Sequence, residues 1–416
     1  MNIAMNHIYF FRNFIVVVFT ICMFTACGNT AFDNDKPSPL KKIVLSESQA
    51  AAQRHEMDFA ISLFKEVVAR EPNKNLMISP FSASLCLSLL ASGSAGETYT
   101  QMAAILGFAD FTREEIGNYY QTMCNGLYEA DNSVNLAIAN AVWPAKNLQL
   151  KSDYAAFTEK WYFAKVTSLD FSSSGSLRIV NDWGKKHTNG LIPKLLDNLD
   201  SQTRLLLTNA LYFRGKWAGG DMTTSKHTFT DYSGKSSQVQ FFGDTRQLYY
   251  RQETDFEACR IPYGNGAYSL VVLLPKSGKP VNDIVASLTS SQLRNTVSNM
   301  KSPSEVKLLI PSIKTDYSMD DVFMAALKSM GMCLPFSSNA DFSGISSEPL
   351  SIGKILQKTS IDINEKGAEA AAATTIIMYG ASEDEPISFI ADRPFIYAIF
   401  EHSYNTILFL GIYGGM

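Results

Sequence analysis

The stretch that decides the reading is Asn364-Glu365-Lys366-Gly367-Ala368-Glu369-Ala370-Ala371-Ala372-Ala373-Thr374-Thr375-Ile376-Ile377-Met378-Tyr379. Two local structures compete over it. Asn364 suits a helix cap, and alanine is the best helix former. Against this, Gly367 would sit inside that helix, and Thr374, Thr375, Ile376 and Ile377 are β-branched, which favours strand. Small residues followed by β-branched ones suit a segment that is loop in one state and strand in another. The alanines at 370–373 would offer little steric resistance to entry between two existing strands. From 380 to 386 the chain reads Gly-Ala-Ser-Glu-Asp-Glu-Pro, the polar composition of a loop tip open to proteolysis.

Strand patterns flank this segment at 352–363, 394–400 and 406–413, and others lie at 134–143, 203–214, 238–250, 267–274 and 304–311. Asn75-Leu76-Met77-Ile78-Ser79-Pro80 reads as a short strand meeting a helix start. Met57, Ala60, Ile61, Phe64, Val67 and Val68 recur at helical spacing, and Glu71-Pro72-Asn73 ends that helix. Further helical stretches fall at 81–91, 152–160, 176–188 and 319–330. Helices dominate early and strands late, without βαβ regularity or an internal repeat. The expectation is α+β with large, mainly antiparallel sheets. No linker-like break follows residue 50, so 51–416 reads as one domain.

Composition narrows the function classes. The chain has 416 residues, 46% hydrophobic and 18% charged, which excludes disordered, collagen-like and disulfide-miniprotein types. Lys plus Arg number 36 against 40 for Asp plus Glu, so the basic excess of a dedicated nucleic-acid binder is missing and no nucleic-acid partner is expected. Residues 14–24 are apolar except Thr20 and follow Arg12, the length of a signal-peptide core and too short to span a bilayer. Phe24-Thr25-Ala26-Cys27 resembles a bacterial lipoprotein box, with Phe24 where leucine is usual. An ordinary signal peptide with Cys27 incidental is the alternative. The expectation is a lipoprotein signal peptide over 1–26, a polar tether over 27–50, and a lipid bilayer as partner through lipidated Cys27. The protein would then be an exported outer-membrane lipoprotein of a bacterium, facing periplasm or exterior. Cys86, Cys124, Cys259 and Cys333 show neither C-x-x-C nor metal spacing; they could pair as disulfides, but scattered buried thiols are favoured.

Catalytic patterns are missing. His7, His55, His187, His227 and His402 form no H-E-x-x-H, and there is no G-x-S-x-G elbow or Gly-Lys phosphate loop. Gly264-Asn265-Gly266 reads as a hairpin turn. The chain is not expected to be an enzyme or to carry a metal or cofactor. A Ser-His-Asp triad need not be close in sequence, so a surface hydrolase stays as a third reading.

The decisive stretch resembles the hinge and reactive-centre loop of the serpins. That family's hinge reads Glu-(Glu/Lys)-Gly-(Thr/Ser)-x, four small residues, then Thr or Ser. Here it is Glu365, Lys366, Gly367, Ala368, Glu369, the alanines Ala370, Ala371, Ala372 and Ala373, and Thr374. The resemblance covers roughly 55–414. It includes Asn75-Leu76-Met77-Ile78-Ser79-Pro80-Phe81-Ser82 with Gly93-Ser94-Ala95-Gly96-Glu97-Thr98, then Asn209-Ala210-Leu211-Tyr212-Phe213-Arg214-Gly215-Lys216-Trp217. Ala340-Asp341-Phe342-Ser343-Gly344-Ile345 and Phe389-Ile390-Ala391-Asp392-Arg393-Pro394-Phe395-Ile396-Tyr397 follow in order. The resemblance implies a serpin fold: three β-sheets, about nine helices and an exposed reactive-centre loop. It implies suicide inhibition, in which a protease acylated by the loop is trapped as the loop enters the central sheet.

The family usually places the scissile residue sixteen positions after the hinge Glu. From Glu365 that gives the bond Ala381–Ser382, with Tyr379–Gly380 the second choice and Met378 a third. No Lys or Arg lies between 367 and 392, so trypsin-like enzymes are poor targets. Ala381 favours elastase-like or subtilisin-like proteases and Tyr379 chymotrypsin-like ones; a papain-like cysteine protease stays open. The resemblance also assigns Ser79, Ser82 and Asn209 to the polar "shutter" under the sheet, with Gln357 where the family has His. It assigns Trp217 and Glu365 to the "breach" at its top. The region that binds heparin in some members contains only Arg113 as a base over 110–130, so a glycosaminoglycan cofactor is not expected. A monomer is expected. A non-inhibitory carrier or chaperone is the runner-up, although its usual mark, a corrupted hinge, is missing.

Overall fold

The computed structural model describes residues 38–300, 303–352, 355, 357–368 and 385–415, with the backbone alone at Asp320. The described residues belong to one compact unit. The first half holds α1 (Glu47–Arg70), β1 (Leu76–Ile78), α2 (Pro80–Ala91), α3 (Gly96–Leu106), α4 (Arg113–Glu129), β2 (Asn135–Pro144), α5 (Ser152–Tyr162), β3 (Ala164–Val166) and α6 (Ser174–His187). Six strands follow: β4 (Leu205–Lys216), β5 (Thr223–Thr230), β6 (Ser236–Gly243), β7 (Thr245–Gln252), β8 (Phe256–Tyr263) and β9 (Tyr268–Pro275). Then come α7 (Val281–Ser287), α8 (Ser290–Ser298), β10 (Pro303–Pro311), β11 (Ile313–Ser318) and α9 (Asp320–Ser329). The chain closes with β12 (Lys358–Asn364), β13 (Gly367–Ala368), β14 (Ile387–Ile390), β15 (Phe395–Glu401) and β16 (Thr406–Tyr413).

Local chemistry explains the helix starts. Ser46 and Gln49 cap α1 reciprocally, and Thr112 and Glu115 do the same for α4. α2 starts on Pro80, whose missing N–H is one that a first turn leaves unpaired anyway. It is apolar and buried on every side, which makes it the core helix. It packs on α1 and α3 and against β4 and β16, one strand from each sheet system.

The strands form two hydrogen-bonded sets. One is a six-stranded sheet in the order β11-β12-β13-β4-β2-β3. The other ten strands follow the path β1-β16-β15-β9-β8-β7-β10-β6-β5, with β14 added on β10. β10 is the joint: residues 303–307 pair with β7, 310–311 with β6 and 306–309 with β14. The two arms that share it, together with the six-stranded sheet, are the three sheets the resemblance implied. Among the described residues only β2–β3 and β10–β14 pair in parallel.

Several expectations are corrected. The strand expected over 238–250 is two, β6 and β7, broken at Gly243-Asp244, where the Asp244 carbonyl turns aside to accept from Leu308 N–H at 2.9 Å. The strand expected over 352–363 begins only at Lys358. α1 starts at Glu47, inside the range read as tether. Gly264-Asn265-Gly266, by contrast, is the hairpin turn expected, between β8 and β9. The four cysteines are free; Cys124 and Cys259 are buried and Cys86 half-buried, but Cys333 is exposed. Burial pushes the Cys86 and Cys124 thiols up to about 12, so neither is a nucleophile near neutral pH.

Candidate functional site

At the centre of the six-stranded sheet the described residues supply very little strand. β13, two residues long, lies between β12 and β4, of seven and twelve residues. It pairs antiparallel with both: Ala368 opposite Ile363 and Gly215, Gly367 opposite Asn364 and Lys216. On their outer sides β12 is laddered to β11 and β4 to β2. Beyond β13, no described strand is laddered to the inner edges at 358–362 and 205–211. Residues 205–209 of β4 are correspondingly only half-buried. The result is a slot walled by two strand edges, with a short plug at its head.

The plug's sequence explains its seat. Gly367 has φ +126°, and a Cβ there would lie 2.1 Å from the Gly215 carbonyl oxygen. Only glycine lets the chain pass this close to β4. Ala368 is wholly buried. Asn364, a possible helix cap in sequence, instead ends β12. Its Oδ1 accepts from Lys366 N–H at 3.0 Å, a turn that swings the chain back into the sheet. The strand reading of the hinge therefore prevails as far as Ala368.

Aromatic stacking fixes the head of the slot. Trp217, 3% exposed, stacks on Tyr263 with ring centroids 4.5 Å apart and planes 12° from parallel. Phe242 continues the stack at 5.9 Å. Trp217 Nε1–H donates to the Asn364 carbonyl at 2.9 Å, and Met222 N–H donates to the Glu365 carbonyl at 2.8 Å. The indole thus packs in the core and also contacts the start of the hinge.

Further along the slot, the start of α2 bridges its two sides. On the β12 side, Gln357 pairs with the Ser79 backbone twice: Ser79 N–H donates to Oε1 at 2.9 Å, and Nε2–H donates to the Ser79 carbonyl at 2.8 Å. Ser79 Oγ–H does not cap its helix but donates to the Leu408 carbonyl at 2.8 Å. Thr359 Oγ1–H donates to the Met77 carbonyl at 2.6 Å. On the β4 side, Ser82 Oγ–H donates to Asn209 Oδ1. Asn209 Nδ2–H donates to Asn140 Oδ1 at 2.7 Å, and Asn140 Nδ2–H to the Tyr162 carbonyl at 2.8 Å. These groups are buried or half-buried, so each bond replaces lost hydration. None of Ser79, Ser82, Asn140, Asn209, Gln357 and Thr359 ionises near neutral pH, so the network has no protonic switch of its own.

The structure brings Ser79, Ser82, Asn209 and Gln357 into this network, and Trp217, Glu365, Lys366, Gly367 and Ala368 to the head of the slot. Glu369, the alanines at 370–373, Thr374, Met378, Tyr379, Gly380, Ala381, Ser382 and Cys27 lie outside the described residues. Asn140 and Thr359 escaped the sequence reading. Asn140 carried a signal: Ala-Asn-Ala at 139–141 and Thr-Asn-Ala at 208–210 each set an amide into an apolar strand, and the two asparagines sit opposite each other in β2 and β4. A buried amide needs a partner, and each is the other's.

Comparison with known proteins settles the family. The family profile described as "Serpin (serine protease inhibitor)" matches residues 54–413. The chain belongs to the serpin family. Leukocyte elastase inhibitor of Sus scrofa is 32% identical over 367 residues, covering 85% of this chain and 96% of its own. Among solved structures, the thermophilic serpin tengpin in its native state superimposes with a TM-score of 0.81 at 29% identity, covering 93% of this chain and 99% of its own. A thyroxine complex of thyroxine-binding globulin superimposes with a TM-score of 0.78 at 26% identity, covering 87% and 98%. Relatives with this serpin's fold are thus named both for protease inhibition and for binding a small ligand.

Proposed function

We propose that this serpin is a suicide-substrate inhibitor of serine proteases with small or hydrophobic primary specificity. The observation that carries the reading is the slot: two long strand edges with β13, the first residues of the hinge, already seated between them. A protease nucleophile attacks the carbonyl carbon of Ala381; the bond to Ser382 breaks, its nitrogen leaves as an amine, and an acyl-enzyme forms. The freed strand then extends β13 along the slot, pairing with β12 and β4. Sixteen residue steps at ~3.3 Å carry the acylated protease roughly 53 Å, and its distortion stalls hydrolysis. The small residues at 368 and 370–373 keep insertion faster than deacylation.

The intact chain is on this reading metastable and held by a kinetic barrier. Without a base between 367 and 392, elastase-like, subtilisin-like or chymotrypsin-like enzymes are the targets and trypsin is not. The protein acts as a monomer, without turnover, cofactor or glycosaminoglycan, and is exported and held to an outer membrane through lipidated Cys27. No helix among the described residues is long and apolar enough to cross a membrane. The likeness to thyroxine-binding globulin supports a second reading, a non-inhibitory carrier.

The test is incubation with elastase, subtilisin, chymotrypsin and trypsin, followed by denaturing gels and intact mass. The expected outcome is an adduct that survives denaturation, with release of a fragment beginning at Ser382; one beginning at Gly380 moves the bond to Tyr379. Clean cleavage without an adduct from any protease, a cysteine protease included, assigns the carrier reading.

A further inference from the structure

The segment expected as a free tether is, from Ser38 to Ser46, an extended strap laid on the body. Ser38 N–H donates to Asn132 Oδ1 at 2.8 Å, Ile43 N–H to Ser403 Oγ at 2.9 Å and Leu45 N–H to the Tyr404 hydroxyl oxygen at 3.1 Å. Lys41 forms an ion pair with Glu129. Ile43, 6% exposed, fills a notch in α4 that exists because residue 126 is glycine: a Cβ there would lie 2.9 Å from the Ile43 side chain. The strap is therefore fixed between the end of α4 and the turn joining β15 to β16.

In an extended chain successive side chains point to opposite faces. Ile43 is buried and Leu45 half-buried, so the alternation turns Val44, Lys42 and Leu40 outward; Lys41, also exposed, is held by Glu129. Leu40 is 52% exposed and Val44 80%, two of the five large hydrophobic residues exposed among the described ones. Lys42 is exposed and forms no ion pair among the described residues. A single exposed aliphatic residue is ordinary. An apolar–cationic–apolar row on an immobilised strap is different, because presenting it needs no further ordering of the chain.

We infer that Leu40, Lys42 and Val44 form a membrane-contact stripe, which rests on the bilayer to which the chain is anchored. The inference rests on the lipid-anchor reading of Cys27. Eleven residue steps separate Cys27 from Ser38, and at ~3.6 Å each they reach no further than about 40 Å. A lipid on Cys27 keeps the stripe near the headgroups at an effective concentration on the order of millimolar. At that concentration two aliphatic side chains at the acyl boundary and an ammonium among anionic headgroups suffice for an occupied contact. The body is then oriented on the membrane by α4 and the β15–β16 turn instead of tumbling on a slack tether.

The test separates this contact from lipidation itself. A hexahistidine tag replaces residues 1–27, and the chain is captured on phosphatidylcholine–phosphatidylglycerol vesicles carrying nickel-chelating lipid. Val44→Trp is compared with the unsubstituted chain on vesicles with and without brominated acyl chains. The added tryptophan is expected to lose roughly a third of its emission to the brominated lipid, and Leu40→Asp in the same chain to abolish that loss. An added tryptophan open to aqueous acrylamide and insensitive to brominated lipid overturns the inference. So does concentration-dependent dimerisation that Leu40→Asp removes, which would give the stripe to a second copy. The mass of the full chain made with its leader reads lipidation of Cys27 independently, so failure of the anchor and failure of the stripe are distinguishable.

Discussion

β15 runs between β16 and β9, laddered on both sides and buried at every residue. β4, in the other sheet, is laddered to β2 over ten residues on one side and to β13 over two on the other. Both strands come from the same chain and carry similar apolar patterns. The difference is where backbone hydrogen bonds remain to be made. The ten-stranded system holds its full complement along its centre. In the six-stranded sheet, 358–362 and 205–211 face each other with no described strand laddered between them, and each bond made there would add about 0.5–1.5 kcal/mol. On the proposed mechanism the instability is local, stored in one sheet while the other serves as frame.

The largest expected effect comes from blocking the slot at its head. Ala368 is wholly buried between Ile363 and Gly215, so Ala368→Arg cannot continue as a central strand. Its adduct with a target protease should disappear and the chain be cleaved as a substrate, with the stoichiometry of inhibition rising roughly tenfold or more because deacylation outruns insertion. Titration against active-site-calibrated protease measures it. An unchanged stoichiometry would mean that the slot is not the insertion site.

A smaller effect is expected at the α2 bridge. Gln357→Ala leaves the buried N–H and carbonyl of Ser79 without their side-chain partners. The loss should be about 1–3 kcal/mol in urea unfolding, and protection from hydrogen exchange should fall in β12 and β4 while β15 and β9 stay protected. Equal loosening of both sheets would erase the contrast drawn between them.

The smallest effect on the slot is expected from Glu56, in the helical layer. Burial pushes its carboxyl up to about 8, against the lowering effect of the bond from the Tyr119 hydroxyl. The folded state therefore holds a proton that the unfolded chain has released above its own, lower carboxyl pKa. This group's contribution favours folding at low pH and declines as pH rises from about 4.5 through 8. Glu56→Gln should flatten that slope by a few kcal/mol across the window, read from unfolding curves at pH 5 and 8, while adduct formation is unchanged. A mutant as pH-sensitive as the parent would place the proton elsewhere.

Legibility followed the range of the interactions involved. The strand over 76–78 and the helix beginning at Pro80 were readable because apolar pattern and proline act within a few residues. The break at Gly243-Asp244 was not, since it is set by β10 from more than sixty residues away in sequence. Cys333 looked like the other thiols, yet its exposure depends on how α9 ends. The strap over 38–46 read as tether because it carries no regular periodicity and continues a polar, proline-containing stretch; the notch at Gly126 and the hydroxyls of Ser403 and Tyr404 that hold it are remote in sequence. The shutter residues were named from resemblance, whereas the pairing of Gln357 with the Ser79 backbone needed the fold.

By itself the sequence determined the family, through ordered motifs, and the ambivalence of the hinge, through small residues followed by β-branched ones. It also determined the absence of a basic residue along the loop. Only the tertiary structure decided that the hinge enters as strand at Gly367 and Ala368, and that beyond them the edges of β12 and β4 face each other with no described strand between. Whether a segment is loop or strand depends on which edges face it, and β4 and β12, some 150 residues apart, meet only in the folded chain.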